Sequence, residues 1–285
     1  MGWDYSAMVS VEEIGDGLRR LGLGSSSKVI VHSSLKSFGY VDGGAEAVCD
    51  ALTETCGTVL APAGTWDLTG IGPPPGTPRP HNGYAPAPTW EAFDEELDRA
   101  TAFSLELPID RELGRIPETL RLTRTPTRTA HPLFSYQAVG PAADQLLAAQ
   151  RSDWPLGPIE ELGRLDGDVL LLGVGHTANT TIHLAEQLLG RSRFYRYAKT
   201  GERVWSELPN VPGASHEFDA IEPALRSATR ETTIGACRAR KIPVADVLAA
   251  ARRLILDDPT ALLCSSADCR CAAARDQRLA TLRGR

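Results

Sequence analysis

Apolar residues follow two patterns along the first 61 residues: short continuous runs and helical spacing. Residues 29–31 and 57–61 are short, mainly apolar runs, which predict buried strands. Between them, residues 45–56 carry apolar side chains at helical spacing, and residues 11–23 show the same spacing before ending near Gly22. A strand, a helix and a second strand within about 30 residues predict a parallel βαβ unit.

The most strongly patterned stretch lies between residues 168 and 189. Residues 169–172 are an apolar run bounded by glycines, which is typical of a strand buried on both faces. A glycine-rich turn follows, and Asn179 is a suitable N-cap for a helix continuing to Leu189. Turns of this kind place polar groups at the carboxyl edge of a sheet, where α/β proteins usually bind ligands.

The remaining pattern completes an α/β fold. Helices are predicted at residues 91–100, 144–150 and 244–256. A strand is predicted at residues 129–139, and a hairpin begins near Val204. We therefore expect a central mixed, largely parallel sheet flanked by helices, in a single domain over residues 1–285. A long irregular insertion is expected at about residues 66–113 and a helical C-terminal part at about residues 220–285.

Composition and charge are those of a globular protein and do not favour a nucleic-acid-binding or membrane-spanning one. The 285 residues are 42% hydrophobic and 23% charged, as is ordinary for a globular protein, and the net charge of −6 makes nucleic acid an unexpected partner. No stretch approaches the about 18 apolar residues of a membrane span. The N-terminus lacks the basic and apolar regions of a secretory signal, so we expect a cytoplasmic protein with reduced thiols.

Candidate chemistry concentrates at the start of the helix after residue 179. Thr180, His183 and Glu186 are spaced three residues apart and therefore share one helix face. A carboxylate at this distance can orient an imidazole that acts as a base, as in a catalytic triad. The alternative is a polar surface helix in which the His and Glu pair by chance.

This stretch, Gly-Val-Gly-His-Thr-Ala-Asn-Thr-Thr-Ile-His-Leu-Ala-Glu from Gly173, resembles the signature of the aminoglycoside 3-N-acetyltransferase family, the antibiotic N-acetyltransferases. Three further stretches resemble the family in order: residues 31–39, His131-Pro132 with residues 139–141, and residues 155–158. The resemblance implies one antibiotic N-acetyltransferase domain. It also implies transfer of an acetyl group from acetyl-coenzyme A to the 3-amino group of the 2-deoxystreptamine ring of an aminoglycoside, and hence antibiotic resistance.

The resemblance also implies roles for individual residues. An amine attacks a thioester only when it is unprotonated, so a base is needed; His183 is the candidate, with Glu186 to orient it and the Thr180 hydroxyl to donate to the oxyanion. The expected coenzyme contacts are His32, Ser33, Ser34, Leu35, Ser37, Phe38 and Gly39. The expected substrate contacts are Asp67, His131, His176, Thr177, Asn179, Glu217 and Asp219. Thr177 stands where close relatives often place an aspartate, which puts the range of acceptors in doubt.

Four other features of the chain leave more than one interpretation open. The insertion offers Trp66, Asp67, Tyr84 and Trp90 as ligand contacts, or else it is simply disordered. An acidic run in residues 91–98 and a basic cluster in residues 191–199 are each interpreted as solvated faces, although the basic cluster could also serve coenzyme phosphates. The spacing of the cysteines at positions 264, 269 and 271 is poor for zinc and no fourth ligand is obvious, so we predict no metal.

The function has competing interpretations. The enzyme could acetylate a different amine-bearing small molecule with the same coenzyme. A metallohydrolase would use His131, His176 and His183 as ligands, although their spacing does not favour it. A protein that binds coenzyme A without catalysis would keep residues 32–39 and be inert toward amines. No membrane contact is expected, and the oligomer is expected to be a monomer or a homodimer.

Overall fold

A computed structural model describes residues 8–77 and 85–283 of the chain. Tyr84, a candidate ligand contact, lies outside the described residues. The strands in chain order are β1 (Met8–Val9), β2 (Lys28–Ser33), β3 (Tyr40–Val41), β4 (Thr58–Pro62), β5 (Gly70–Ile71), β6 (Thr127–Arg128), β7 (Tyr136–Val139), β8 (Asp168–Leu172), β9 (Phe194–Gly201), β10 (Val204–Val211), β11 (Arg230–Ile234) and β12 (Cys237–Pro243).

The described residues also contain eleven α-helices. In chain order they are α1 (Val11–Arg20), α2 (Gly44–Thr55), α3 (Trp66–Thr69), α4 (Trp90–Arg99), α5 (Arg115–Thr123), α6 (Ala143–Ala148), α7 (Gly157–Arg164), α8 (Thr181–Leu188), α9 (Glu222–Leu225), α10 (Val244–Asp257) and α11 (Arg270–Arg283). Within the described ranges, none of these helices is long and apolar enough to cross a membrane.

A seven-stranded mixed sheet forms the centre, in the order β11-β12-β8-β2-β4-β7-β6. Strand β2 pairs in parallel with both β4 and β8, which confirms the βαβ unit built around α2. Within this sheet the outer strands pair antiparallel, so parallel pairing is confined to β4, β2 and β8, and the expectation of a largely parallel sheet is wrong. The prediction of a mixed sheet flanked by helices is confirmed.

Alternating side chains of the central strands pack into two hydrophobic cores, one on each face of the sheet. In β8, Leu170 and Leu172 pack on the face covered by α1, α2 and α5, whereas Val169 and Leu171 pack on the opposite face under α6, α7, α8 and α10. Successive side chains of a strand point to opposite faces, so a strand buried on both sides must be apolar throughout. This is the reason for the continuous apolar run in the sequence.

Two sequence-based boundaries are wrong. The part after residue 220 is not simply helical, because β11 and β12 form a hairpin that extends the central sheet beside β8. Residues 129–139 are not one strand, because β-structure is confined to β6 and β7 while the residues between them turn around the ring of His131.

The insertion is also more regular than predicted. It contains α3, β5 and α4, and β5 joins the β9–β10 hairpin in a second, three-stranded sheet. Helix α4 begins at the predicted cap, where the Thr89 hydroxyl accepts the Ala92 N–H at 3.2 Å. Phe93 packs its edge against Trp205 of the hairpin, with ring centroids 5.5 Å apart. The second sheet forms a wall beside the carboxyl ends of β2, β4 and β8.

Candidate active site

A cleft of about 780 Å³ opens at the carboxyl ends of the parallel strands. Strand β2 contributes His32 and Ser33, the turn between β8 and α8 contributes Thr177 and Thr180, and α8 contributes His183. The second sheet and the rest of the insertion line the side of the cleft opposite these residues. The volume lies within the range of about 300–1,000 Å³ that small-molecule sites occupy. The cleft is therefore where the strand-to-helix turn in the sequence predicts a ligand site.

His183 is held by a carboxylate on its own helix. Its Nδ1 lies 2.7 Å from Oε2 of Glu186, which is completely buried. The ring also packs edge-on against Phe218, with centroids 4.7 Å apart. Because Nδ1 is engaged by Glu186, Nε2 is the ring nitrogen left for proton transfer at the cleft. The spacing of three residues in the sequence thus does bring the pair together.

Glu186 is itself fixed by a buried arginine. Its Oε1 accepts a hydrogen bond of 2.9 Å from Nε of Arg191, whose side chain is fully buried. The same guanidinium donates to the carbonyls of Pro259 and Ala261, at 2.9 and 2.7 Å. Burial lowers the pKa of Arg191, but the adjacent Glu186 opposes that shift and favours the cation. The result is a continuous chain from imidazole to carboxylate to guanidinium, which fixes the His183 ring.

The turn before α8 is fixed by the side chains of Asp219 and Asn179. Asp219 accepts the backbone N–H of His176 at 2.5 Å, and Asn179 accepts the N–H of Thr181 at 3.2 Å. Gly175 is required here, because a Cβ on it would lie 2.6 Å from Oδ1 of Asp219. Helix α8 consequently begins at Thr181, two residues after the predicted N-cap.

Two of the predicted substrate contacts are buried histidines. His176 is 1% exposed and its Nδ1 lies 3.3 Å from Nδ2 of Asn179, while Nδ1 of His131 accepts the N–H groups of Leu133 and Phe134. Burial lowers the pKa of both to about 4, helped at His176 by the charge of Arg240. Both rings are therefore neutral and support the backbone beside the cleft rather than lining it.

The predicted coenzyme segment divides between cleft and core. His32 and Ser33 line the cleft, and neither the His32 Nε2 nor the Ser33 hydroxyl has a hydrogen-bond partner among the described residues. Burial lowers the pKa of His32 to about 4, so its ring is neutral. Ser34 to Gly39 make a short 3₁₀ turn closed by the Ser37 hydroxyl, which donates to the Ser34 carbonyl at 2.7 Å. The Phe38 ring lies in the core and therefore does not reach the cleft. Leu35 is partly buried and packs against the same core.

Carboxylates and cations occupy different parts of the cleft wall. Asp67, Glu96 and Glu112 line it from the insertion, whereas Arg196 and Arg270 approach from β9 and from the start of α11. Asp67 and Glu112 are exposed, while Glu96 accepts the Gly72 N–H at 2.8 Å. A cleft with these carboxylates suits a cationic ligand.

The predicted residues thus fall into two groups. Those that line the cleft are His32, Ser33, Asp67, Thr177, Thr180 and His183. Those placed behind or away from its surface are Ser34, Leu35, Ser37, Phe38, Gly39, His131, His176, Asn179, Glu186, Glu217 and Asp219. In the second group, Glu186 contacts His183 of the cleft, whereas Asp219 and Asn179 hold the turn before α8 through backbone N–H groups. Glu217 is exposed beside Phe218.

Sequence reasoning missed Arg191, Glu96 and Glu112. The basic cluster is not a solvated face: Arg191 is buried, Lys199 donates to the Ala100 carbonyl, and Arg196 lines the cleft. The acidic run is only partly a solvated face, because Glu96 lines the cleft. No signal in the sequence reveals Arg191, but Glu96 follows Phe93 by three residues and so shares the packed side of α4.

The geometry does not favour a hydrolase built on three histidines. His131, His176 and His183 do not meet as a possible metal-binding group anywhere in the described part of the chain. The Nδ1 atoms of the three rings already contact backbone N–H groups, Asn179 and Glu186, respectively. The arrangement instead offers one imidazole, oriented by a buried carboxylate, at the wall of a cleft with acidic side chains.

The chain is similar to known proteins over most of its length. The model of the family described as aminoglycoside 3-N-acetyltransferase matches residues 30–255. The chain is 31% identical over 264 residues to aminoglycoside N(3)-acetyltransferase IX of Micromonospora chalcea, covering 84% of this chain and 87% of that protein.

Two solved structures are similar in fold. YokD of Bacillus subtilis superposes with a TM-score of 0.75 at 25% identity, covering 89% of this chain and 95% of its own. A mutant of aminoglycoside acetyltransferase AAC(3)-IVa in complex with gentamicin superposes with a TM-score of 0.72 at 26% identity, covering 97% of this chain and 99% of its own.

Proposed function

As a member of the aminoglycoside 3-N-acetyltransferase family, the chain is an N-acetyltransferase, and we propose that its acceptor is an aminoglycoside. The acetyl donor is acetyl-coenzyme A, and the reacting amine is the 3-amino group of the 2-deoxystreptamine ring. Acetylation removes the positive charge of that amine and thereby confers resistance. The domain spans the whole of residues 1–285 as one unit.

The single observation that carries the proposal is the His183–Glu186–Arg191 chain at the cleft wall. A substrate ammonium must lose a proton before its nitrogen can attack a thioester. Nε2 of His183 takes that proton, and Glu186 stabilises the imidazolium that forms. Arg191 donates to the other oxygen of Glu186 and fixes its position in the interior.

Attack of the amine nitrogen on the acetyl carbonyl forms the new C–N bond and places a negative charge on the carbonyl oxygen. The Thr180 hydroxyl, which lines the cleft beside His183, is our candidate donor to that oxyanion. Collapse of the tetrahedral intermediate breaks the C–S bond and expels the coenzyme thiolate. The excess proton on the attacking nitrogen passes to that thiolate, which gives the neutral amide and the free thiol, and His183 releases its own proton to solvent. No cysteine lines the cleft among the described residues, which supports direct transfer rather than an acyl-enzyme.

The two substrates divide the cleft by charge and polarity. The unpartnered His32 Nε2 and Ser33 hydroxyl support a site for the amides of the pantetheine arm at the end of β2. The carboxylates of Asp67, Glu96 and Glu112 support an acceptor site for a polycation on the insertion side. Thr177 lies in the same cleft and contributes a neutral hydroxyl rather than a further charge.

The test is release of coenzyme thiol from acetyl-coenzyme A in the presence of aminoglycosides with and without a free 3-amino group. Turnover confined to those with the free amine, and mass spectrometry that places the acetyl group on it, supports the proposal. Turnover only with unrelated amines would replace the aminoglycoside by another acceptor. Binding of the coenzyme with no turnover on any amine would leave a binding protein.

His183→Ala is the matched test of the base. We expect kcat to fall by about 10²–10⁴-fold, because general-base catalysis is lost, while coenzyme binding measured by calorimetry is retained. His183 is 7% exposed and lies at the cleft, so the truncation opens space toward solvent rather than inside the core. Near-normal turnover by the folded variant would remove His183 from the mechanism.

A further inference from the structure

Four potential metal ligands meet outside the catalytic chain. They are His216, from the loop after β10, Cys264 and Cys269, from the segment before α11, and Cys271, from the first turn of α11. One ligand atom from each side chain lies within 4.8 Å of the other three. Sequence analysis found no fourth ligand because His216 precedes the first of these cysteines by almost fifty residues.

We propose that these four side chains bind one Zn²⁺ ion. Three thiolates and an imidazole are a set that zinc uses in closed structural sites. Tetrahedral bonds of about 2.3 Å to sulfur and about 2.0 Å to nitrogen separate two sulfur atoms by about 3.8 Å and a sulfur from a nitrogen by about 3.5 Å. Here the His216 Nε2 lies 4.0 Å from Sγ of Cys269 and 3.9 Å from Sγ of Cys271. Small rotations of the side chains therefore bring the four atoms to bonding distance.

The donor set selects the type of metal. Calcium and magnesium prefer oxygen ligands, and no carboxylate belongs to this group of four. Soft thiolates with one imidazole favour zinc, whose four bonds have no open position for a substrate. We therefore assign the site a structural role rather than a catalytic one.

The position of the site explains what zinc stabilises. Helix α11 is largely polar, and its buried residues are Cys271, Ala274 and Arg278. Its other attachments are hydrogen bonds to the turn between α8 and β9: Gln277 pairs with the backbone of Arg193, and Arg278 donates to the Leu189 carbonyl at 2.9 Å. A helix with so little apolar contact gains much from a metal bond at its first turn.

The metal site also joins two parts of the active-site wall. His216 follows Ser215, which lines the cleft, and precedes Phe218, whose ring packs against His183. The cysteines flank Arg270, which lines the same cleft from the start of α11. Zinc would therefore fix the 212–219 loop to the C-terminal segment and hold the outer wall of the cleft.

The experiment measures zinc in the full-length protein by mass spectrometry after dialysis against buffered Zn²⁺. We expect about one zinc per chain. His216→Ala and Cys269→Ser should each lower the content by about tenfold or more, because three ligands hold zinc far less tightly. Cys56→Ala is the matched control, because that thiol is buried in the core and outside the cluster, and it should keep the metal.

A second readout does not depend on the folding of any variant. Replacement of zinc by Co²⁺ in the wild-type chain should give the intense visible bands and thiolate charge-transfer absorption of a tetrahedral site. Three results would each overturn the assignment: no zinc retained by the wild type, zinc retained by both ligand variants, or a disulfide among the three cysteines in freshly isolated protein.

Discussion

At the scale of single residues, Glu186 uses its two oxygens for two different purposes. One oxygen contacts His183 and the other accepts from Arg191, and all three side chains are buried. In the mechanism that we propose, the first contact orients the base, whereas the second stabilises the folded chain. A buried ion pair that loses one partner leaves an uncompensated charge, so the two effects are separable by mutation.

Glu186→Gln should impair both catalysis and stability. A neutral amide stabilises an imidazolium less well than a carboxylate, so kcat should fall by at least about tenfold with little change in the KM for the acceptor. The lone Arg191 charge should lower the free energy of unfolding by about 3–5 kcal/mol. Steady-state kinetics and denaturant unfolding measure the two losses.

The double variant Glu186→Gln with Arg191→Met separates the two effects. Removal of the unpaired charge should restore much of the unfolding free energy, whereas kcat should stay low because the carboxylate is still absent. Recovery of kcat together with stability would mean that Glu186 acts on folding alone.

The acceptor site is tested by its exposed carboxylates. Asp67→Asn and Glu112→Gln should each raise the KM for a polycationic aminoglycoside by about two- to fivefold, with little effect on the KM for acetyl-coenzyme A. Added salt should shrink the difference from wild type, because exposed charges are screened. Glu95→Gln is the control on α4, since Glu95 is exposed and does not line the cleft. Equal effects from all three variants would argue against a local acceptor site.

The sequence predicts residues of this kind only when the interaction is local. His183 and Glu186 are three positions apart on one helix, so their contact follows from helical geometry. Arg191 depends on the carbonyls of Pro259 and Ala261, about seventy residues later, and nothing in the local pattern indicates that pairing. It was therefore interpreted as part of a solvated basic cluster.

At the scale of elements, the turn between β8 and α8 has little room for an added side chain at Gly175. Gly175→Ala should displace the Asp219 carboxylate from the N–H of His176, because the new Cβ would lie 2.6 Å from its Oδ1. The start of α8 should shift with it, and kcat should fall by about tenfold or more, since small displacements of a catalytic group are costly. Gly24→Ala is the control, because nothing lies within 4 Å of its added Cβ, and it should keep wild-type kcat.

Elements with strong apolar periodicity were predicted well, and weakly patterned ones were not. The strands β2, β4 and β8 and the helices α1, α2 and α10 follow the sequence closely, because each buries a continuous apolar face. The β11–β12 hairpin was missed because β11 is mostly exposed and β12 buries the small side chains of Cys237 and Ala239 together with Arg240. Its pairing with β8 is a tertiary contact that local pattern does not encode.

At the scale of the whole molecule, buried neutral histidines set how stability depends on pH. Burial lowers the pKa values of His32, His131 and His176 to about 4, from an unfolded value near 6.5. Between these limits the unfolded chain binds more protons, so this stability is present above about pH 6.5 and is lost as the pH falls toward about 4. Denaturant unfolding at several pH values should show that decline.

His131 and Asp110 affect this pH dependence in opposite directions. His131→Asn should make the decline shallower, because an amide oxygen can accept the same backbone N–H groups and does not titrate in this range. Asp110 acts in the opposite direction, since burial raises its pKa to about 6 and the folded chain then binds more protons below that pH. An unchanged slope in His131→Asn would remove that histidine as a source of the effect.

The pairing of β2 with β8 has a consequence for how the newly made chain folds. These neighbours in the sheet are separated by about 140 residues, and the ribosome adds only about 5–20 residues per second. For about 7–30 seconds after Ser33 is made, the edge of β2 that belongs to β8 has no partner from its own chain. An apolar strand with a free edge is prone to pair with another molecule, so chaperone supply and translation speed should govern the yield of folded enzyme more strongly than its final stability does.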